Sequence, residues 1–261
     1  MNGIRYTHTT AGCHLIIIDT LSDDLKDCIR KRLSEICFGS VIIQTPSRHS
    51  DYRSTITAFF ERYDDKTSRQ KKGIIGELLT HVLVREYLES LQPASILFNK
   101  EERSMRKGFD LVFFKSLDET VWYCEVKSGG LVRRNQAPTA RTLTLLSTAC
   151  TDLMNKLEKG PQSIWDSVVF DSNLTVDEAV RPLLRRVLDD DAPSVRDNDF
   201  TAAAILVSVV YASPAIEVVY DDVVGYHEEA SCEELFDDLI VISVQKETIS
   251  RVEEFLRGEL D

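Results

Sequence analysis

The feature that most constrains the fold is a continuous apolar stretch, TAAAILVSVVY, at residues 201–211. A strand with one solvated face alternates apolar and polar residues, whereas this stretch is apolar at nearly every position and rich in β-branched side chains. It is therefore predicted to be a strand buried on both faces, in the middle of a mixed sheet that helices cover. The stretch is too short to cross a bilayer as a helix.

The segment before this strand has a regular succession of helix and strand patterns. Helical periodicity extends over residues 68–91, and a second helix is expected near 140–159. Between the two helices lie three strand candidates, at residues 95–98, 109–114 and 121–127. Gly129–Gly130 are expected to end the third. The predicted fold class is therefore α/β, with a mixed central sheet flanked by helices and an αβββαβ core.

The two flanking segments show weaker patterns of the same kind. Further strands are predicted at 14–20, 41–46 and 239–245, and further helices from Ser22 to about 37, at 50–63, at 174–188 and at 247–259. We divide the chain into an N-terminal α/β extension (1–66), a core (67–211) and an acidic C-terminal α/β segment (212–261) that completes the domain.

The charge of the chain is distributed unevenly. The net charge of −12 argues against a generic nucleic-acid binder. However, residues 1–160 carry a net charge of +4 and residues 161–261 a net charge of −16. The stretch 126–151 has four basic residues and no acidic one. Such a stretch can bind phosphates locally while the whole chain stays acidic, although a solvated loop has the same composition.

The cysteines and the N-terminus indicate the expected compartment. The six cysteines form no CxxC pair and no zinc-ligand spacing, so they are predicted to be free thiols in a reducing environment. The N-terminal sequence MNGIRYTHTT lacks the basic and apolar regions of a signal peptide. We therefore expect a cytoplasmic protein without a membrane partner.

Four polar residues occupy special positions on the predicted core elements. Glu77 lies within the apolar helical run GIIGELLTHVLV, where a carboxylate needs a partner or an open cleft. Asp110 begins the strand FDLVFF. Glu125 and Lys127 are two residues apart on the next strand, so both face the same side of the sheet. If the two strands are neighbours, Asp110 and Glu125 converge at one end of the sheet.

This set of residues has the chemistry of a metal-dependent hydrolase. The carboxylates of Asp110 and Glu125, with Glu77 and the Val126 carbonyl, are oxygen donors that suit Mg²⁺, and Mn²⁺ is also compatible. Lys127 beside the metal can orient a water molecule or stabilise charge on a phosphate. A metal-bound water molecule beside a lysine favours hydrolysis of a phosphodiester. Each residue alone is common by chance, and the combination carries the prediction.

Several residues near these strands are candidates for contacts with the phosphate groups of a substrate. They are Lys107, Ser128, Arg133, Arg134, Gln136 and Arg141. A solvated loop is the alternative reading for the residues that follow the third strand.

The pattern of Glu77, Asp110 and Glu125-Val126-Lys127 resembles the PD-(D/E)XK nuclease superfamily, whose restriction-endonuclease-like core has the same αβββαβ order. In the superfamily a proline often precedes the Asp, and here Phe109 stands at that position. More narrowly, the runs KKGIIGELLTHVLVREYL, GFDLVFF and WYCEVKSG are similar to the HamA family, the nuclease subunits of the Hachiman anti-phage system. That resemblance implies DNA as the substrate and a superfamily 2-type helicase, HamB-like, as the partner.

The leading hypothesis is thus a Mg²⁺-dependent DNA endonuclease of phage defence that lacks base-specific readout and is controlled by a helicase. No recognition helix or zinc finger is evident, and no GxxxxGK[ST] motif is present, so the ATP-driven motor must be another chain. Two alternatives stay open. The chain could be a non-catalytic subunit that binds DNA or the helicase with a nuclease-like fold, or a nuclease of DNA repair or recombination.

Overall fold

The computed structural model describes residues 1–44, 50–98, 108–195 and 201–260. Its strands, in chain order, are β1 Ile4–His8, β2 Cys13–Ile18, β3 Gln92–Pro93, β4 Leu111–Lys115, β5 Thr120–Gly130, β6 Ala203–Tyr211 and β7 Asp238–Lys246. They form a seven-stranded sheet of order β1-β2-β7-β6-β5-β4-β3. The four strands from β2 to β5 in this order are mutually parallel, and the β1–β2, β5–β4 and β4–β3 pairs are antiparallel. The predicted mixed α/β class is confirmed.

Helices cover both faces of this sheet. They are α1 Asp23–Phe38, α2 Ser40–Ile43, α3 Tyr52–Tyr63, α4 Ser68–Tyr87, α5 Pro138–Lys159, α6 Ser163–Thr175, α7 Arg181–Asp191, α8 Tyr220–Cys232 and α9 Ser250–Gly258. Apolar side chains of α1, α3, α4 and α9 form one core against the sheet, and those of α5, α6, α7 and α8 form the other. From α4 to β6 the order follows the predicted core in outline, but β3 stands in place of the predicted strand 95–98, and α6 and α7 lie between α5 and β6. The restriction-endonuclease-like character of this region remains a prediction.

Within the apolar stretch 201–211, residues Ala203–Tyr211 form β6, the fourth of the seven strands. Each of its residues is buried, and β5 and β7 pair with it in parallel on its two sides. Its alternate side chains enter the two opposite cores, as Ile205 and Leu206 do. The prediction of a central strand buried on both faces is therefore confirmed.

The third predicted strand is longer than its sequence pattern indicated. Gly129 and Gly130 do not end β5 but form its last two residues, paired with Val210 and Tyr211 of β6. At Gly129 the guanidinium group of Arg141 lies close to the backbone, and a Cβ atom there would be 2.5 Å from its Nη2. The strand continues through both glycines.

Two predicted strands are wrong. Residues 40–43 form helix α2, which packs against α6 and is tied to it by the Ser40 hydroxyl, 2.7 Å from the Thr175 carbonyl. Residues 45–49 lie outside the described residues. In the predicted strand 95–98, the Ile96 amide donates to Asp171 and the Leu97 amide to the Ile36 carbonyl, so these donors are not free for a neighbouring strand. Among the described residues, Gln92–Pro93 form the strand β3 that pairs with β4 on the side opposite β5.

Other boundaries differ for local reasons. The predicted helix 174–188 is interrupted between α6 and α7, because Pro182 occupies the first turn of α7 and cannot continue a preceding helix. Helix α4 ends at Tyr87, four residues before the predicted end. Strand β1 and helix α8 were not predicted.

The sheet takes strands from all three predicted segments. Strands β1 and β2 come from residues 1–66, and β7 comes from residues 212–261. The division at 66 and 211 stays a prediction. Within the described ranges, no helix is long and apolar enough to cross a membrane.

Helix α4 is held against β5 through Gly76. A Cβ atom on Gly76 would lie 1.9 Å from Ser128 Oγ and 3.0 Å from Ser128 Cβ, whereas a Cβ on Gly73 would meet nothing within 4 Å. We expect Gly76→Ala to lower the free energy of unfolding by about 1–2 kcal/mol, because overpacking outweighs the better helix propensity of alanine. Gly73→Ala, the matched control on the same helix, should raise it by about 0.5–1 kcal/mol. Urea unfolding of both variants checks this, and a stabilised Gly76→Ala protein would contradict the tight contact.

Candidate active site

Strand β5 extends beyond β4 and leaves an open edge at the end of the sheet. The first residue of β4, Leu111, pairs with Cys124, so from Glu125 onward β5 is paired with β6 but not with β4. Asp110 lies just before β4, and its Oδ2 accepts a hydrogen bond of 2.8 Å from the Val126 amide. The predicted convergence of Asp110 with Glu125 follows from this register.

Glu125 and Lys127 face the same side of the sheet, as their spacing predicted. Lys127 Nζ lies 2.6 Å from Glu125 Oε1. Glu125 is only 1% exposed, so its charge depends on its neighbours rather than on water. Val126, between them, points into the opposite core.

Helix α5 contributes two residues that the sequence analysis missed. Lys156 Nζ lies 2.5 Å from Glu125 Oε2 and 3.5 Å from Asp110 Oδ1. Asp152, one turn earlier, is 2.8 Å from Lys127 Nζ. Both oxygens of Glu125 therefore bind an ammonium group, and the site contains two lysines rather than one.

Glu77 approaches the site from α4. Its neighbour Gly76 packs on Ser128, which fixes this turn of the helix beside β5. Burial raises the pKa of Glu77 well above its ordinary value, and the nearby charges of Asp110 and Glu125 raise it further. Glu77 is therefore close enough to Asp110 and Glu125 for their charges to act on it, and its role as a ligand stays a prediction.

The charge of Asp110 raises the pKa values of Glu77 and Glu125, and the two lysines oppose this effect. Burial and the charge of Asp110 raise the pKa of Glu125 to about 7, although Lys156 and Lys127 pull it down. Burial lowers the pKa of Lys127, but the carboxylates of Glu125 and Asp152 outweigh burial and leave that pKa above its ordinary value. Lys127 is therefore a firmly charged ammonium group.

The carboxylates have the donor chemistry of a site for a hard divalent cation. Oxygen ligands are those that Mg²⁺ and Mn²⁺ prefer, and a cation would relieve the repulsion that raises the pKa values of Glu77 and Glu125. In the described part of the chain, no group of three or more His, Cys, Asp or Glu side chains is arranged to hold a metal ion. Instead, Lys127 and Lys156 each bind one oxygen of Glu125.

The predicted DNA contacts lie around the end of β5. Arg133 and Arg134 are exposed in the loop that follows it, and the side chain of Gln136 accepts a hydrogen bond of 2.8 Å from the Val132 amide within the same loop. Ser128 lies against Gly76. Lys107 lies outside the described residues.

Arg141 is the best-placed cation of this group. It lies over Gly129, and no carboxylate among the described residues forms an ion pair with it. Burial lowers the pKa of Arg141, and the positive charge of Arg69 on α4 lowers it further. Lys72, also on α4, has its Nζ 3.4 Å from the place where a Cβ atom on Gly130 would lie. The sequence analysis missed Arg69 and Lys72, whose only signal is their place in the first turns of the helix that carries Glu77.

The raised pKa of Glu125 predicts how the free energy of unfolding of the metal-free protein depends on pH. Its ordinary value is 4.5, so between pH 4.5 and about 7 the folded state holds a proton that the unfolded state has lost. The free energy of unfolding should therefore fall as the pH rises through this range. Glu125→Gln removes this titrating group. Between pH 5 and pH 8 in EDTA, the free energy of unfolding of the variant should therefore rise by roughly 2 kcal/mol relative to that of wild type. Urea unfolding at both pH values checks this, and identical pH dependence in the two proteins would contradict it.

The fold and the cluster define a class: a mixed α/β protein with a carboxylate–lysine site at the open edge of a central strand. The chain belongs to the HamA family, since the HamA family model matches residues 4–255. Membership of this family indicates a subunit of the Hachiman anti-phage system. No curated protein is similar enough to the chain to count as a match.

Proposed function

We propose that this chain is the metal-dependent DNA endonuclease subunit of its anti-phage system, of the PD-(D/E)XK type. It cleaves phosphodiester bonds without sequence-specific readout, acts in the cytoplasm and is controlled by a partner helicase of the superfamily 2 type, HamB-like. The observation that carries the proposal is the convergence of Asp110, Glu125 and Lys127 at the open edge of β5, in a member of the HamA family.

The metal ligands in this proposal are the carboxylates of Asp110, Glu125 and Glu77 and the carbonyl of Val126. When Mg²⁺ or Mn²⁺ is bound, it supplies Lewis acidity that polarises the phosphate and makes a water molecule more acidic. Lys127, kept charged by Glu125 and Asp152, stabilises negative charge on the phosphate and orients the attacking water. The Val126 amide fixes Asp110 through its hydrogen bond.

The DNA backbone in this proposal crosses the end of β5. Arg141 and Lys72 lie beside Gly129 and Gly130, and the charge of Arg69 acts on Arg141 from α4. These cations can bind phosphates, and Arg133 and Arg134 extend the surface from the loop. Contacts to phosphates position a duplex or a single strand but carry no sequence information. This arrangement supports cleavage without base readout.

A cleavage assay tests the proposal. Supercoiled plasmid, linear duplex and single-stranded DNA are each incubated with the chain in Mg²⁺, Mn²⁺ or EDTA, alone and with the helicase subunit of the same system. We expect cleavage in either metal and none in EDTA, with a rate that changes when the helicase is present. DNA binding without cleavage under every condition would instead favour a non-catalytic binding subunit.

A further inference from the structure

Lys156 lies on α5, and its side chain reaches into the proposed metal site. Its ammonium group lies between Glu125 and Asp110, the two carboxylates to which we assign the metal, at 2.5 Å from one and 3.5 Å from the other. Its side chain is 25% exposed, so it enters the site while remaining accessible from solvent. A residue that only covered the outside of α5 would not reach both acids.

An ammonium group in this place competes with a divalent cation. A hard cation binds directly to carboxylate oxygens, and here Lys127 and Lys156 each take one oxygen of Glu125. Lys127 also binds Asp152, whereas Lys156 forms its ion pairs with the two proposed metal ligands, Glu125 and Asp110. Lys156 is therefore the ammonium whose contacts a metal must replace.

Helix α5 carries an acid, Asp152, that can pair with Lys156 once its ammonium group has left Glu125 and Asp110. Asp152 and Lys156 are four residues apart on α5, a spacing at which an acid and a following base lie side by side on one face. Asp152 is 46% exposed and uses one oxygen for Lys127. Displacement thus needs only a change of side-chain conformation, not a movement of the helix.

We propose that Lys156 is a built-in counter-ion that holds Glu125 and Asp110 in the absence of metal and must be displaced when the divalent cation binds. It thereby sets the metal concentration that the site requires. This inference rests on the proposed metal site and assigns Lys156 a positioning role rather than a catalytic one. It follows that removing the ammonium should strengthen metal binding, although it weakens the metal-free protein.

Isothermal titration calorimetry of Mn²⁺ and Mg²⁺ into the intact chain without DNA tests this. Lys156→Met keeps the length of the side chain and removes its charge, and Lys159→Met, an exposed lysine in the last turn of the same helix, is the matched control. We expect Lys156→Met to bind metal about tenfold more tightly than wild type and the control to bind as wild type does. If Lys156→Met does not fold, Lys156→Gln replaces it.

A second readout separates competition from a merely structural role. In EDTA the melting temperature of Lys156→Met should lie below that of wild type, and saturating Mg²⁺ should raise it by more than it raises the wild-type value. A variant that is less stable but binds metal no more tightly than wild type would overturn the inference while leaving the proposed nuclease intact. Absence of metal binding in folded wild type and in both variants would overturn the metal site itself, and with it the role of Lys156.

Discussion

Replacing Glu125 with glutamine is expected to lower the rate of DNA cleavage by about 10³-fold or more, with the fold retained. Glutamine keeps the shape of the side chain but cannot supply the negative charge that a metal site needs at this position. A bound metal contributes several kcal/mol of transition-state stabilisation, and each 1.36 kcal/mol changes the rate tenfold. Glu125 is buried and contacts both lysines, so its carboxylate lies at the centre of the proposed site.

Single-turnover cleavage in saturating Mg²⁺ measures this effect. The matched control is Glu178→Gln, which removes the same charge from an exposed position between α6 and α7. The control should cleave at the wild-type rate, because it lies outside the site. A folded Glu125→Gln protein that cleaves as fast as wild type would show that this carboxylate has no part in the reaction.

Replacing Asp110 with asparagine is expected to reduce cleavage by about 10²- to 10³-fold for a related reason. The amide oxygen of asparagine can still accept the hydrogen bond from the Val126 amide, so the link between β4 and β5 is preserved. What is lost is the charge that Asp110 shares with Lys156 and offers to a metal. The variant therefore separates the electrostatic role of Asp110 from its structural role.

Cleavage rates over a range of Mn²⁺ and Mg²⁺ concentrations are the appropriate measurement. The loss should be largest at low metal concentration, since the weakened site needs more metal to fill. Asp190→Asn, at an exposed position in the last turn of α7, controls for the change in net charge. Equal rates for Asp110→Asn and wild type at every metal concentration would remove Asp110 from the proposed ligand set.

The part of the site that the sequence could predict depends on local periodicity. Glu125 and Lys127 share a face because side chains alternate along a strand, and Asp110 meets them because consecutive strands commonly pair. The burial of β6 could likewise be predicted, because its residues are almost all apolar. Such features need only a few neighbouring residues to be recognised.

Lys156 and Asp152 could not be recognised in this way. An acid and a base four residues apart on a helix usually form a solvated pair, and the sequence does not specify how a helix crosses the sheet beneath it. A weak signal existed, because both residues flank the apolar stripe of α5, which includes Leu145, Ala149 and Leu153. Only the packing of α5 on β5 turns that flank toward Glu125.

The order of the strands was also beyond local reasoning. Strand β7, from the C-terminal segment, lies between β2 and β6 and so joins the two ends of the chain in one sheet. Such pairing depends on contacts between residues far apart in sequence, which no short pattern encodes. In the same way, the amides of Ile96 and Leu97 donate hydrogen bonds to residues of α6 and α1 rather than to a neighbouring strand.

The most direct test of the central claim compares DNA cleavage by wild type and by the Glu125→Ala/Lys127→Ala double variant, in Mg²⁺ and in EDTA, with and without the helicase subunit. The double variant loses both the buried carboxylate and the lysine beside it, the pair on which the proposed chemistry depends. We predict Mg²⁺-dependent cleavage by wild type, no cleavage by the folded double variant, and a helicase effect on wild type alone. Equal cleavage by the two proteins, or none by either with the helicase present, would contradict a nuclease centred on Glu125 and Lys127.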